Sequence, residues 1–84
     1  MWILNGEGKE LVDAKYFSVQ KGIGGGKDKK FSIIAYSKTV ANVNLSGSVL
    51  CASFSSEEQA IAELNRVVDF FNENPDKVYK FSNR

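Results

Sequence analysis

The sequence predicts an α+β domain in which an antiparallel β-sheet of about four to six strands carries one C-terminal amphipathic helix on one face. Strand-like patterns fill residues 1–54, a helical pattern covers residues 55–74, and a short tail or edge strand follows at residues 76–84. Strands grouped ahead of one helix favour this class over a parallel sheet, in which strands and helices alternate. With 84 residues, the chain is expected to form a single domain, residues 1–84.

The first part of the chain is expected to form a hairpin followed directly by a third strand. Residues 2–4 are apolar, and the Asn5-Gly6 pair behind them is typical of a tight hairpin turn. Residues 10–13 provide the returning strand, and residues 16–20 alternate between apolar and polar side chains, as a half-buried strand does.

A glycine-rich segment follows, and it has the composition of a phosphate-binding loop without its spacing. Residues 22–27 read Gly-Ile-Gly-Gly-Gly-Lys. The nucleotide-binding motif needs a glycine where Lys21 stands and a serine or threonine where Asp28 stands. That motif also opens a helix, whereas residues 31–36 are strand-like. The segment is therefore predicted to be the tip of a hairpin.

Residues 37–47 admit two interpretations. Residues 40–45 have the apolar content of a strand between polar loops, but Asn42 and Asn44 are poorly suited to a strand interior. Residues 48–54 form a clearer strand that leads straight into the helix.

The helix is the most strongly patterned element. Ser55 with Glu58, or Ser56 with Gln59, fits a capping box at its start. Pro75 cannot continue a helix, so the helix is expected to end near residues 72–74. Its predicted apolar stripe, at helical spacing, consists of Ala60, Ile61, Leu64, Val67, Val68 and Phe71.

Apolar side chains remain that this helix is not expected to cover: Ile34, Tyr36, Leu50 and Phe54 on the far face of the sheet, and Phe70 on the helix. This surface favours a homo-oligomer, a dimer or higher, and the alternative is a cover formed by residues 37–47 or by the tail.

Positive and negative charges are concentrated in different parts of the chain. Residues 15–38 carry six lysines and one acid, and residues 57–76 carry six acids and one arginine. Such a distribution favours self-association or anion binding.

The composition argues against catalysis. The chain has no histidine, so a Cys–His pair is excluded and a serine nucleophile lacks its usual base. We therefore expect no enzyme, no catalytic residues, no metal site and no cofactor.

The single Cys51 lies in an apolar run, where a buried, inert thiol in a reducing compartment is the default. No signal peptide and no membrane-spanning run is recognised, so a cytoplasmic protein without a membrane partner is expected.

The end of the chain offers the best candidate binding residues. Cations, an amide and an aromatic ring are the groups that nucleotide pockets use, and residues 77–84 contain all three. We expect Phe81 to stack on a base and Asn83 to read its edge, with Arg84, Lys80 and Arg66 meeting phosphates. The alternative is a frayed terminus.

Two other functions stay open. The sheet edge or the spare apolar face would suit a protein-interaction module. Single-stranded nucleic acid is a weaker alternative, in which the basic residues 21–30 act beside Tyr16, Phe17, Phe31 and Tyr36. The nearly neutral net charge of +1 argues against it.

Residues 1–5, 54–60 and 75–81 together resemble small proteins of phages and Gram-positive prophages, most of them without a known role. Within that group the chain looks most like the Thoeris anti-defence sponges. The resemblance implies a non-enzymatic oligomer that sequesters a cyclic nucleotide or an ADP-ribose-type immune signal. It does not assign the ligand residues, which rest on the chemistry of the side chains.

Overall fold

A computed structural model describes residues 1–22, 30–37 and 47–82 of the chain. The described part confirms the α+β class. Its elements, in chain order, are β1 (Trp2–Leu4), β2 (Leu11–Asp13), β3 (Tyr16–Lys21), β4 (Phe31–Tyr36), β5 (Ser48–Phe54), α1 (Glu57–Glu73) and β6 (Tyr79–Lys80). The strand considered at residues 40–45 and most of the glycine-rich segment lie outside the described residues.

The strands form two small sheets, where the sequence suggested one. The first has the order β2-β1-β6 and the second β3-β4-β5, with three strands each. Pairing is antiparallel except between β1 and β6, which run parallel. The parallel pair arises because the chain returns beside β1 after the helix, and the Phe81 amide donates to the Leu4 carbonyl at 3.0 Å. Local patterns carry no information about such a long-range pairing.

The turn between β1 and β2 is organised by the buried side chain of Asn5, which is 3% exposed. Its Oδ1 accepts hydrogen bonds from the amides of Lys9, at 3.0 Å, and Glu10, at 3.2 Å. Its Nδ2 donates to the Glu10 carboxylate at 3.2 Å. Gly8 has a φ of +71°, which a residue with a Cβ rarely adopts. The predicted hairpin is therefore present, but its connection is a six-residue loop, residues 5–10, held by side-chain bonds, and the tight turn predicted at Asn5-Gly6 is not formed because the positive φ falls on Gly8.

We expect Asn5→Ala to lower the free energy of unfolding by about 1–3 kcal/mol. The reason is that the backbone amides of Lys9 and Glu10 lose the Asn5 side-chain oxygen to which they donate. Urea denaturation followed by circular dichroism measures the change. The control is Glu7→Ala, which changes an exposed side chain in the same turn and should alter stability by less than about 0.5 kcal/mol. Equal effects of the two substitutions would contradict the role given to Asn5.

The helix begins at Glu57 and ends at Glu73, close to the predicted limits. Of the two possible caps, Ser56 is the one formed, and its side chain accepts from the Gln59 amide at 3.2 Å. The hydroxyl of Ser55 instead donates to the Gln59 side chain at 2.8 Å. Beyond the helix, the Asn74 amide donates to the Phe70 carbonyl ahead of Pro75.

The apolar stripe predicted for the helix is too wide. Ala60 and Val67 are fully buried, and two half-buried residues, Leu64 and Phe71, pack against the same core. Ile61 and Val68 are 45% and 50% exposed, so their assignment to the stripe is wrong. The reason is angular: each lies one residue, about 100°, beyond the sector that meets the sheet.

One core joins the two sheets and the helix, and its largest fully buried side chains include Ile3, Ile33, Val67 and Cys51. Cys51 lies where the β4–β5 register shifts between Ile33 and Ile34. Burial raises the pKa of its thiol to about 12, so the thiol stays protonated at neutral pH.

The spare apolar surface is smaller than the sequence suggests. Ile34 is buried, and Phe54 packs against the core. Phe70 meets Tyr79 edge to face at 5.2 Å. Leu50 remains 39% exposed on the second sheet. The first sheet exposes two apolar residues that the pattern did not single out, Trp2 at 47% and Leu11 at 57%.

Candidate functional site

The last strand and the residues after it are attached to the helix through Tyr79. Its hydroxyl donates to the Glu63 carboxylate at 2.6 Å, and its ring packs edge to face on Phe70. Burial, followed by the hydrogen bond to Glu63, raises the pKa of the Tyr79 hydroxyl above its usual range. The chain end up to Ser82 therefore has a defined place beside the helix.

A groove of about 350 Å³ opens between the first turns of α1 and the chain after β6. Its walls include Phe54, Ser55, Gln59, Glu63, Arg66 and Ser82. The volume is in the range of small-molecule sites, which run from about 300 to 1,000 Å³. The lining combines one aromatic ring, two hydroxyls, an amide and a pair of opposite charges.

In the ion pair between Arg66 and Glu63, only Arg66 remains available to contact a ligand in the groove. Arg66 donates from Nη1 to Glu63 at 2.8 Å, and the second oxygen of Glu63 already accepts from Tyr79. The Glu63 side chain is only 13% exposed, whereas the Arg66 side chain is 68% exposed. Because a guanidinium has five N–H donors, Arg66 keeps donors for a ligand while Glu63 is engaged on both oxygens.

The helix turns its first acidic residue away from this groove. Glu57 precedes Arg66 by nine residues, which is two and a half turns of an α-helix, so the two side chains point to opposite sides. The open hydrogen-bonding capacity of the groove is that of Arg66, the amide nitrogen of Gln59 and the Ser82 hydroxyl, together with the acceptor side of the Ser55 hydroxyl, whose proton is donated to Gln59.

The predicted site residues are separated by the structure. Phe81 is 5% exposed and belongs to the core, with its ring 4.9 Å from Tyr79 and 6.4 Å from Phe17. The stacking role predicted for it does not fit this position, because no face of the ring is open to a ligand. The reason is that Phe81 directly follows β6 and is still bonded to Leu4 of β1, so its side chain points to the same side as that of Tyr79, two residues earlier.

The predicted cations do not form one cluster. Arg66 lines the groove, but Lys80 is exposed on the face of β6 opposite to Tyr79, because side chains alternate along a strand. Asn83 and Arg84 lie outside the described residues. The contribution of Phe54 to the groove was missed, since the sequence assigned it to apolar surface. Gln59 and Ser55 were not predicted as groove residues either, because the sequence pattern explains both of them as helix-capping residues.

The surface considered for nucleic acid holds only half of its predicted aromatic residues. Tyr16 and Tyr36 stack on each other with ring centres 4.5 Å apart. Phe17 and Phe31 instead pack against the core. Residues 23–29, which contribute part of the predicted basic charge, are outside the described part of the chain.

Within residues 1–22, 30–37 and 47–82, no group of three or more acidic, cysteine or histidine side chains is arranged to hold a metal ion. No helix in these same ranges has the length and apolar content that crossing a membrane requires.

Comparison with known proteins returns no match for this chain, whether to protein-family models, to curated proteins or to solved structures.

Proposed function

We propose that the protein binds a small anionic ligand without chemically changing it, in the groove beside the first turns of α1. The observation that carries the proposal is the exposed guanidinium of Arg66, held in place by a carboxylate that is itself engaged. Such a fixed cation suits bidentate contact with a phosphate. The absence of histidine from the sequence supports binding rather than turnover.

The ligand class that fits this lining is a nucleotide. Phe54 offers an aromatic surface, Gln59 an amide, and Ser55 and Ser82 hydroxyls within the same groove. Nucleotide sites use these groups to stack a base and to bind its edge and sugar. The resemblance to signal-sequestering phage proteins points to a cyclic nucleotide or an ADP-ribose derivative as the compound to try first.

We expect Arg66→Gln to weaken nucleotide binding about tenfold to a hundredfold, since a charge-assisted contact contributes about 1.5–3 kcal/mol. Isothermal titration with a panel of cyclic nucleotides and ADP-ribose derivatives measures the affinity. Lys80→Gln is the matched control, because it removes the same charge from the other face of β6 and should leave binding unchanged.

Each outcome of this titration has a clear meaning. Loss of binding in Lys80→Gln with normal binding in Arg66→Gln would place the site on the opposite face of β6. A wild-type protein that binds none of the compounds would contradict the proposal. Recovery of the unaltered compound from the complex, by mass spectrometry, distinguishes binding from turnover.

We propose self-association as part of this function. Trp2 and Leu11 are exposed. In the β1–β2 register Leu4 lies opposite Leu11, and Trp2, two residues before Leu4, shares their face of the sheet. An exposed aromatic ring and an exposed leucine on either side of the half-buried Leu4 are typical of surfaces that another protein covers. Native mass spectrometry of the wild type and of Trp2→Ser tests this, and a wild type that is only monomeric would contradict it.

A further inference from the structure

The edge of β3 differs from the other sheet edges in the described part of the chain. In the first sheet the edges are β2, with three residues, and β6, with two. In the second sheet β5 is interrupted by the register shift, and its Cys51 carbonyl accepts from the Gly6 amide at 2.8 Å. Short edges and bulges are devices that prevent strand addition. The six residues of β3 pair regularly with β4 and carry neither device.

The pairing of β3 with β4 indicates which backbone groups point outward. Gly22 donates to the Lys30 carbonyl at 2.7 Å, and these two residues continue the β3–β4 register. In an antiparallel pair, hydrogen-bonded positions alternate with positions whose N–H and C=O face away from the partner strand. Phe17, Val19 and Lys21 therefore direct their backbone groups to the open edge.

The charge around this edge selects the kind of partner. Lys15, Lys21 and Lys30 are exposed around it, and residues 14–22 contain no acidic residue. A second copy of β3 paired around Ser18 would place Lys15 opposite Lys21 of that copy, and facing like charges destabilise a strand pair. An acidic strand would instead meet opposite charge at both ends of β3.

We propose that β3 binds an extended acidic peptide segment of another protein, which adds to the second sheet as a fourth strand. The outward backbone groups of Phe17, Val19 and Lys21 supply the hydrogen bonds, and alternate side chains of the added strand cover the half-buried Phe17 and Val19. This surface is separate from the groove of α1, so the peptide and the small ligand occupy different parts of the molecule.

The test uses a fluorescein-labelled peptide of sequence Glu-Glu-Val-Thr-Val-Glu-Glu and measures fluorescence anisotropy with the wild-type protein. Paired antiparallel to β3, this peptide places its valines opposite Phe17 and Val19 and its terminal glutamates opposite Lys15 and Lys21. We expect binding that weakens as salt rises from about 50 to 500 mM, because exposed charges are screened over this range. The double variant Lys15→Glu/Lys21→Glu should weaken binding at least about tenfold. The double variant Lys9→Glu/Lys77→Glu, which makes the same change of charge at two exposed lysines outside β3, is the matched control and should not.

Two N-methylated forms of the peptide distinguish strand addition from simple charge attraction. One carries methyl groups on the amides of its second, fourth and sixth residues, and the other on the amides of its third and fifth. A strand bonds its neighbour through one edge only, so one form should lose binding and the other keep it. Equal binding of both forms, or of a peptide with lysine in place of every glutamate, overturns the proposal. So does the absence of any binding.

Discussion

Phe81→Ala is expected to lower the free energy of unfolding by about 3–5 kcal/mol, the usual cost of deleting a buried phenylalanine. Phe81 is 5% exposed and packs on Tyr79 and Phe17, so its removal leaves a cavity between the last strand and the second sheet. A small domain has about 5–15 kcal/mol of stability in total, and a large share of it would be lost. The melting temperature should fall by at least about 12 °C.

Two further variants make this prediction specific, and thermal and urea denaturation measure all three. Phe81→Leu keeps most of the buried volume and should cost clearly less than the alanine variant. Val78→Ala changes a residue of the same segment that is 39% exposed and should cost less than about 1 kcal/mol. A Phe81→Ala protein with wild-type stability and no ligand binding would restore the stacking role that the sequence suggested.

Val67→Asp is expected to unfold the protein or to cost at least about 4 kcal/mol, whereas Val68→Asp should cost less than about 1 kcal/mol. The two valines are adjacent and chemically identical, but Val67 is 1% exposed and Val68 is 50% exposed. An aspartate at position 67 would carry its charge into the core without a partner. At position 68 the same charge stays in water.

Circular dichroism spectra and urea midpoints of the two variants are the measurement. Because the same substitution is made one residue apart, differences in helix propensity between valine and aspartate cancel. A larger loss in Val68→Asp than in Val67→Asp would mean that the helix is rotated by about 100° from the position described, since that is the turn per residue.

Local chemistry was sufficient to predict most of the elements. The Asn5-Gly6 pair correctly marks the place where the chain reverses between β1 and β2, although the reversal is a longer loop whose positive φ falls on Gly8. A serine cap and Pro75 define the ends of the helix, because a cap satisfies free amides and proline cannot continue the hydrogen bonding. These signals act over a few residues, so the sequence contains them in full.

The side chains that fill the core and line the groove were harder to predict. The spacing of Ile61 and Val68 is as helical as that of Ala60 and Val67, and only the angle at which the helix meets the sheet separates them. Phe81 has an aromatic ring of the kind that binding sites use. It is buried because the hydrogen bond from Tyr79 to Glu63 and the parallel pairing of β6 with β1 hold this part of the chain against the core.

The sequence by itself therefore determined the class of the fold, the helix and its ends, and the position of the first hairpin, all of which depend on neighbours along the chain. Only the tertiary structure decided the division into two sheets, the burial of Phe81 and the position of Arg66 in the groove. These features depend on contacts between residues far apart in the chain, where the gain from packing outweighs local preference.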